Sequence, residues 1–271
     1  MPTISICIEP LFEGESMAEK ARKVAQAGFK VIEFWFYDEG PGERNIEDLA
    51  AACKDYGLLV NDFVLSSADG KIGGAMGAMV NPADRNHYLA RLKESITVAK
   101  KLNCKKFISC TGNTVAGLSR AEQHKSAVET LQQAAPIAAQ EGIILMLEPL
   151  NSPVNHPGYY LDNGHEGAEI VQEVNQPNVR LLWDIYHMQI MHGNVLDNVK
   201  QYLPLIAHLH AAGVPGRHDL DVGELNYIEV LKRIKEMGYQ NTCGLEYWPV
   251  SSDHAASLAR MRELTSAAGW D

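Results

Sequence analysis

Short apolar runs alternate with amphipathic stretches along the whole chain. Ile4-Ser5-Ile6-Cys7-Ile8 predicts a first strand. Met17 to Ala27 follows as a helix, with Ser16 as N-cap, Glu19 at the capping-box position and Gly28 ending it. Val31 to Phe34 predicts a second strand, Ile46 to Tyr56 a helix between Asn45 and Gly57, and Leu58 to Leu65 a third strand. Tyr88, Leu92, Ile96 and Ala99 recur at helical spacing within Pro82 to Leu102. Lys105 to Cys110 predicts a fourth strand. Ser119 to Glu141 predicts a long helix opened by a Ser119/Glu122 capping box, with an apolar stripe at Val128, Leu131, Ala135 and Ala138. Four more strands are predicted over Ile143 to Leu147, Val179 to Trp183, Leu205 to Leu209 and Cys243 to Leu245. The helices between and after them cover Asn163 to Val174, about 194 to 202, Tyr227 to Met237 and Ser252 to Ala268.

One segment breaks this rhythm. Ser66 to Asn81 holds four glycines and no hydrophobic period. A loop of that length reads as a lid or binding loop. Its glycine spacing is not a phosphate-binding fingerprint.

Alternating strands and helices imply a parallel sheet. Eight such units in 271 residues, with no linker or composition shift, predict a closed (β/α)8 TIM barrel of the α/β class, one domain over 1–271. The alternative is an open doubly wound sheet. That sheet usually carries a Gly-rich phosphate turn after its first strand, and Glu9-Pro10-Leu11-Phe12 is not one.

The last four strands share an ending. The run to Leu147 stops at Glu148, and Pro149 then ends the ladder because it has no N–H to give. The next strands end at Asp184, His210 and Glu246. In a barrel, these strand ends lie on one face, where active sites form. Strand alternation then places Ile144 and Met146 inside with Glu148, and Leu145 and Leu147 against the helices. Three carboxylates facing one another raise each other's pKa, and a divalent cation resolves the conflict. Three oxygens and one imidazole suit Mn²⁺ or Mg²⁺, with Co²⁺ or Zn²⁺ as alternatives. His187, just beyond Asp184, is a candidate to bind a substrate oxygen. Arg217, in the polar loop after the seventh strand, is a candidate clamp for a substrate carboxylate or hydroxyl. His208 is expected one layer below His210, as a hydrogen-bonded core or supporting histidine. His87, His124, His165 and His254 read as surface residues.

Charge and cysteine usage narrow the partners. There are 24 Lys plus Arg against 34 Asp plus Glu, a net charge of -10, with no basic block. Such a surface repels phosphate backbones, so no nucleic-acid partner is expected. The five scattered cysteines contain no C-x-x-C, which suits a reducing compartment. Cys7, Cys110 and Cys243 lie in predicted strands and read as small buried hydrophobes. With no signal-peptide pattern and no apolar run near about 20 residues, the expectation is a cytoplasmic protein without membrane contact.

Several segments carry a specific resemblance. They are Glu148-Pro149-Leu150-Asn151, Trp183-Asp184-Ile185-Tyr186-His187, Gly216-Arg217-His218-Asp219 with Gly223-Glu224-Leu225-Asn226-Tyr227, and Gly244-Leu245-Glu246-Tyr247. Over nearly its whole length the chain resembles the hydroxypyruvate isomerase family. That family belongs to the xylose-isomerase-like TIM barrels, which also include ketose 3-epimerases of the tagatose and allulose type. The resemblance implies that Glu148, Asp184, His210 and Glu246 hold one metal ion. It also implies that Glu148 and Glu246 are the catalytic acid/base pair, and that His187 and Arg217 bind substrate. Proteins of the family often have glutamine where this chain has His210; the 3-epimerases have histidine. The implied reaction is an aldose–ketose isomerisation of a small carbohydrate-derived α-hydroxycarbonyl compound. The expected case is hydroxypyruvate to tartronate semialdehyde, by enediolate proton transfer between the two glutamates. A ketose 3-epimerase using the same site is the alternative. The family also implies a homo-oligomer, dimer or tetramer.

Overall fold

The computed structural model describes residues 2–40, 42–65 and 78–270. Residues 66–77 of the glycine-rich loop lie outside them. Eight parallel strands close into a barrel in chain order: β1 (Thr3–Cys7), β2 (Val31–Phe34), β3 (Leu59–Val64), β4 (Lys106–Ser109), β5 (Ile144–Leu147), β6 (Val179–Asp184), β7 (Ile206–Ala211) and β8 (Thr242–Leu245). The ring closes where Thr3, Ile4 and Ser5 pair with Thr242, Cys243 and Gly244. The helices α1 (Met17–Gln26), α2 (Ile46–Tyr56), α3 (Arg85–Leu102), α4 (Arg120–Ala139), α5 (Gly164–Val174), α6 (Ile185–Met191), α7 (Val195–Tyr202), α8 (Tyr227–Glu236) and α9 (His254–Ala267) fill the connections and the C-terminus.

The caps follow from the local sequence. Asn45 accepts from the N–H groups of Glu47 and Asp48 at 3.0 and 3.2 Å, and Gly57 ends α2 at a left-handed φ of 65°. The Ser119/Glu122 capping box forms in full. The expected box at α1 forms by half. Ser16 accepts from Glu19 N, but the Glu19 carboxylate turns away to Arg22, a stronger charge-assisted partner. Pro82 does not start the long helix directly. It opens a short 3₁₀ turn over Pro82–Asp84, capped by Asn81, and α3 continues from there. α6 was not anticipated, because Ile185 to Met191 is too short to show a helical period. Of the histidines expected at the surface, only His87 is exposed; His165 contacts the Tyr202 hydroxyl, and His254 Nδ1 accepts from Phe12 N at 2.7 Å.

Two apolar layers result. Leu145 and Leu147 join the main core between strands and helices, whereas Met146 packs with Val64, Ile108 and Leu182 inside the barrel, and Ile144 lies against them. Period-two alternation therefore aims Glu148 inward. On the outer face, Phe34, Phe63 and Phe107 are register partners on β2, β3 and β4. Phe63 is fully buried, with ring centroids 5.1 Å from Phe34 and 4.8 Å from Phe107. Phe63→Ala should cost about 3–5 kcal/mol, a large part of the ~5–15 kcal/mol typical of a whole protein. The urea midpoint reads this loss.

Candidate active site

Glu148, Asp184, His210 and Glu246 converge at the C-terminal ends of β5 to β8, all buried, with ligand atoms within 4.8 Å of one another. Each is placed by a different device. Glu148 N still donates to Ser109 O at 3.2 Å, so the residue continues the ladder, and Tyr159 Oη donates to its carbonyl at 3.1 Å. Asp184 is the N-cap of α6. Its Oδ1 accepts from Tyr186 N at 2.7 Å and His187 N at 3.2 Å, which leaves Oδ2 facing the cluster. His210 sits on β7 with Nδ1 3.0 Å from Glu246 Oε2, 3.6 Å from Glu148 Oε1 and 4.0 Å from Asp184 Oδ2. Glu246 follows β8, and its Oε1 accepts from Trp35 Nε1 at 2.6 Å.

His187 and Arg217 arrive at the same place. His187 is fully buried on the first turn of α6. Its Nδ1 accepts from Asn151 N at 3.1 Å and contacts Asn151 Nδ2 at 2.6 Å. A backbone N–H can only donate, so Nδ1 is unprotonated and the proton lies on Nε2. Burial, reinforced by Arg217, pushes the His187 pKa well below the usual histidine value, so the ring is neutral. Its Nε2–H has no hydrogen-bond partner. Arg217 is not an exposed loop residue: it is 6% exposed, between the Tyr186 and Trp248 rings. Its Nη2 lies 2.6 Å from Glu246 Oε2 and 3.8 Å from Asp184 Oδ2, while its Nε is buried without a partner. The backbone of Arg217 is left-handed, φ 59°, which costs a residue with a Cβ about 1–2 kcal/mol. The loop is held in place by a 2.8 Å bond from Trp248 N to Arg217 O, and by buried Asp219, which accepts from Val250 N and Arg260.

The two glutamates differ in proton affinity. Burial raises the Glu148 carboxyl to about 7, against partial opposition from His210. Burial also pushes Glu246 up, but Arg217, then His210 and the Trp35 indole, outweigh it and bring the carboxyl down to about 2. Burial raises Asp184 as well. Glu148 Oε1 and His210 Nδ1 are buried without a hydrogen-bond partner. Burial lowers the His210 pKa, but Glu33, Glu148 and Glu246 outweigh burial and raise it well above the usual histidine value, so His210 would give up its Nδ1 proton to bind a cation. Three carboxylates and one imidazole aimed at one point fit a divalent cation.

A cavity of about 360 Å³ opens in front of this cluster. Trp35, Phe36, Val64, Ile108, Leu150 and Trp248 give it an apolar wall; Glu148, Asn155, His156, His210, Arg217 and Glu246 give it a polar one. Trp35, Trp248, Asn151 and His156 were not foreseen as site residues. Trp35 and Trp248 follow β2 and β8 with no sequence feature to single them out, and nothing in the loop Asn151 to Pro157 marks His156 in the linear sequence. His208 lies inward beneath His210 as expected, ring centroids 4.9 Å apart.

The fold and the buried carboxylate–histidine cluster define a barrel enzyme built to act on a small polar molecule. Residues 21–264 match the family model described as xylose isomerase-like TIM barrel, and the chain belongs to that family. It is 30% identical over 255 residues to the hydroxypyruvate isomerase of Escherichia coli, covering 94% of this chain and 96% of that protein. A 2-oxo-tetronate isomerase of Cupriavidus necator is 29% identical over 249 residues, covering 92% and 94%. Among solved structures, an AP endonuclease family 2 protein from Brucella melitensis superposes with a TM-score of 0.88 at 29% identity, covering 97% of this chain and 99% of that one. The chain is an isomerase by this kinship. No helix among the described residues is long and apolar enough to cross a membrane.

Proposed function

We propose that the chain is a metal-dependent isomerase of a short α-hydroxycarbonyl acid, with hydroxypyruvate to tartronate semialdehyde as its reaction. The observation that carries this reading is the pairing of an acidic cluster with the buried Arg217 guanidinium on the wall of one small cavity, with His187 Nε2 behind it 3.5 Å from Asp184 Oδ2. Glu148, Asp184, His210 and Glu246 would hold one divalent cation, Mn²⁺ or Mg²⁺. When bound, the cation would supply Lewis-acid polarisation of the substrate carbonyl.

The chain's own residues supply the rest. Arg217 holds the substrate carboxylate, and the neutral His187 donates to an oxygen beside the reacting carbons. Glu246, kept ionised by Arg217, takes the proton from the hydroxymethyl carbon. The electrons of that C–H bond form the enediolate double bond. Glu148 would take a proton from solvent on the oxygen turned away from the cation and return it to the former carbonyl carbon, while Glu246 releases its own to solvent, so both carboxylates end as they began. A hydroxyl proton moves from the terminal oxygen to the inner one, so the product is an isomer and no redox partner is needed. The apolar wall at Leu150 and Trp248 limits the water that could intercept the enediolate.

The 3-epimerase alternative uses the same glutamates on a neutral ketose, where a buried guanidinium has no carboxylate to meet. DNA is disfavoured by the net charge of -10. The test is a Mn²⁺-loaded assay against hydroxypyruvate, 2-oxo-tetronate, tagatose and allulose, with proton NMR of the product formed in D₂O. Hydroxypyruvate should turn over fastest, with solvent deuterium at the new C–H. Faster turnover of either ketose would falsify the assignment.

A pH prediction follows from Glu148. A carboxylate must lose its proton to bind a metal, and this one keeps it up to about 7. Through this group alone Mn²⁺ affinity falls as pH drops through about 7, by roughly tenfold per unit, and the raised pKa of His210 makes it climb further above that pH. Calorimetric titrations at pH 8 and pH 6 measure the difference; equal affinities contradict it.

A further inference from the structure

A second buried group, Glu33, Asp62 and His208, lies below the site and shares His210 with it. Glu33 is the informative member. It is a charge inside the otherwise apolar β2, 1% exposed. Its Oε2 accepts from Ser5 Oγ at 2.5 Å and faces His208 Nε2 at 3.1 Å. Its Oε1 stands 3.0 Å from His210 Nε2 as an ion contact, neither atom making a hydrogen bond. On the other side of that imidazole, Nδ1 faces Glu148, Asp184 and Glu246.

The barrel makes room for this carboxylate at one place. Gly244 on β8 has an ordinary backbone, so no positive φ calls for glycine there. A Cβ at Gly244 would lie 2.6 Å from the carboxyl carbon of Glu33, well inside van der Waals contact. Glycine in a strand interior weakens the strand and marks a close approach. Here the close approach is Glu33 itself.

We propose that Glu33, seated in the slot left by Gly244, is a positioning residue that fixes the orientation and tautomer of His210. An anionic oxygen beside Nε2 keeps the proton on that nitrogen, so Nδ1 presents its lone pair to the cation. This extends the metal reading of the site and rests on it. Glu33 is not itself a ligand of a second cation. Lys106 already supplies positive charge to the Glu33 and Asp62 region, with Nζ donating to Asn61 Oδ1 at 3.0 Å and Thr242 Oγ1 at 3.2 Å.

Mn²⁺ titration of the full chain by calorimetry is the test. Glu33→Ala should weaken binding about 10–100-fold, the usual effect of removing a partner behind a histidine ligand. Glu33→Gln keeps an acceptor in the slot and should fall between Glu33→Ala and the unaltered chain. Gly244→Ala, which displaces the carboxylate, should resemble Glu33→Ala. At saturating Mn²⁺ the Glu33→Ala protein should recover kcat with KM unchanged. An affinity left within about threefold of the parent, short of that range, overturns the proposal. So does a second cation bound per chain, which would make Glu33 a ligand. If Glu33→Ala does not fold, Mn²⁺ titration of Glu33→Gln decides in its place: binding weakened by more than about threefold is expected, and binding within about threefold of the parent overturns the proposal. A chain that binds no divalent cation refutes the metal reading together with this inference. Tight binding that is indifferent to Glu33 refutes this inference alone.

Discussion

Metal-loaded Glu246→Gln is expected to keep its fold and lose about 10²–10⁴-fold in kcat, the contribution of a positioned proton-transfer group. The amide matches the carboxylate in size, and its oxygen can still accept from Trp35 Nε1, now at 2.6 Å. What it cannot do is take up a proton. It also removes the closest counter-charge of Arg217, whose Nη2 lies 2.6 Å from Glu246 Oε2. Breaking a buried ion pair costs about 3–5 kcal/mol when nothing replaces the lost charge. Asp184 remains 3.8 Å from the same nitrogen, so the actual loss should lie below that range. Steady-state kinetics on a sample with verified metal content, beside a thermal melt, separate the two effects. Near-parental turnover in such a sample would remove Glu246 from the mechanism.

The barrel was legible because eight units repeat a single physical rule, an apolar run closed by turn residues and followed by a helical stripe. The stripes at Tyr88 to Ala99 and Val128 to Ala138 are buried at every named position. The cluster was legible for a related reason. A side chain able to bind a metal at the end of each of four consecutive strands is an ordered feature of the linear sequence. Other parts of the site had no such marker. His156 reaches the cavity from an irregular loop, where no periodicity fixes which side chain points inward. Glu33 was visible as a lone charge within Val31-Ile32-Glu33-Phe34, but which strand end or neighbour it serves depends on barrel closure. Arg217 was identified as a candidate, yet its burial between Tyr186 and Trp248 depends on a left-handed backbone that an arginine codon does not announce. Local periodicity carries the scaffold; the polar shell around the site is assembled by non-local packing.

Asp184→Asn should separate two jobs that one side chain performs. Oδ1 caps α6 through Tyr186 N and His187 N, and the cap orients the turn that carries His187 over the site. Oδ2 faces His210 and Arg217 at 4.0 and 3.8 Å, in the cluster that could hold the cation. Asparagine is as good an N-cap as aspartate, so the helix start and the position of His187 should survive. The amide brings no charge to the cation. Removing a partner behind a ligand already costs about 10–100-fold in metal affinity, so losing a ligand charge should cost more than about 100-fold. Asp184→Ala should lose the metal to the same degree and, in addition, about 1 kcal/mol of stability from the missing cap. The comparison to make is therefore between the two variants without metal. In chelator-treated samples, Asp184→Asn should melt above Asp184→Ala, while Mn²⁺ should raise the melting temperature of the unaltered chain only, since a bound ion stabilises the folded state in proportion to its affinity. If Mn²⁺ raises the melt of Asp184→Asn as much as it raises that of the parent, Asp184 is a cap and nothing more. The cation would then have to be held by Glu148, His210 and Glu246 without it.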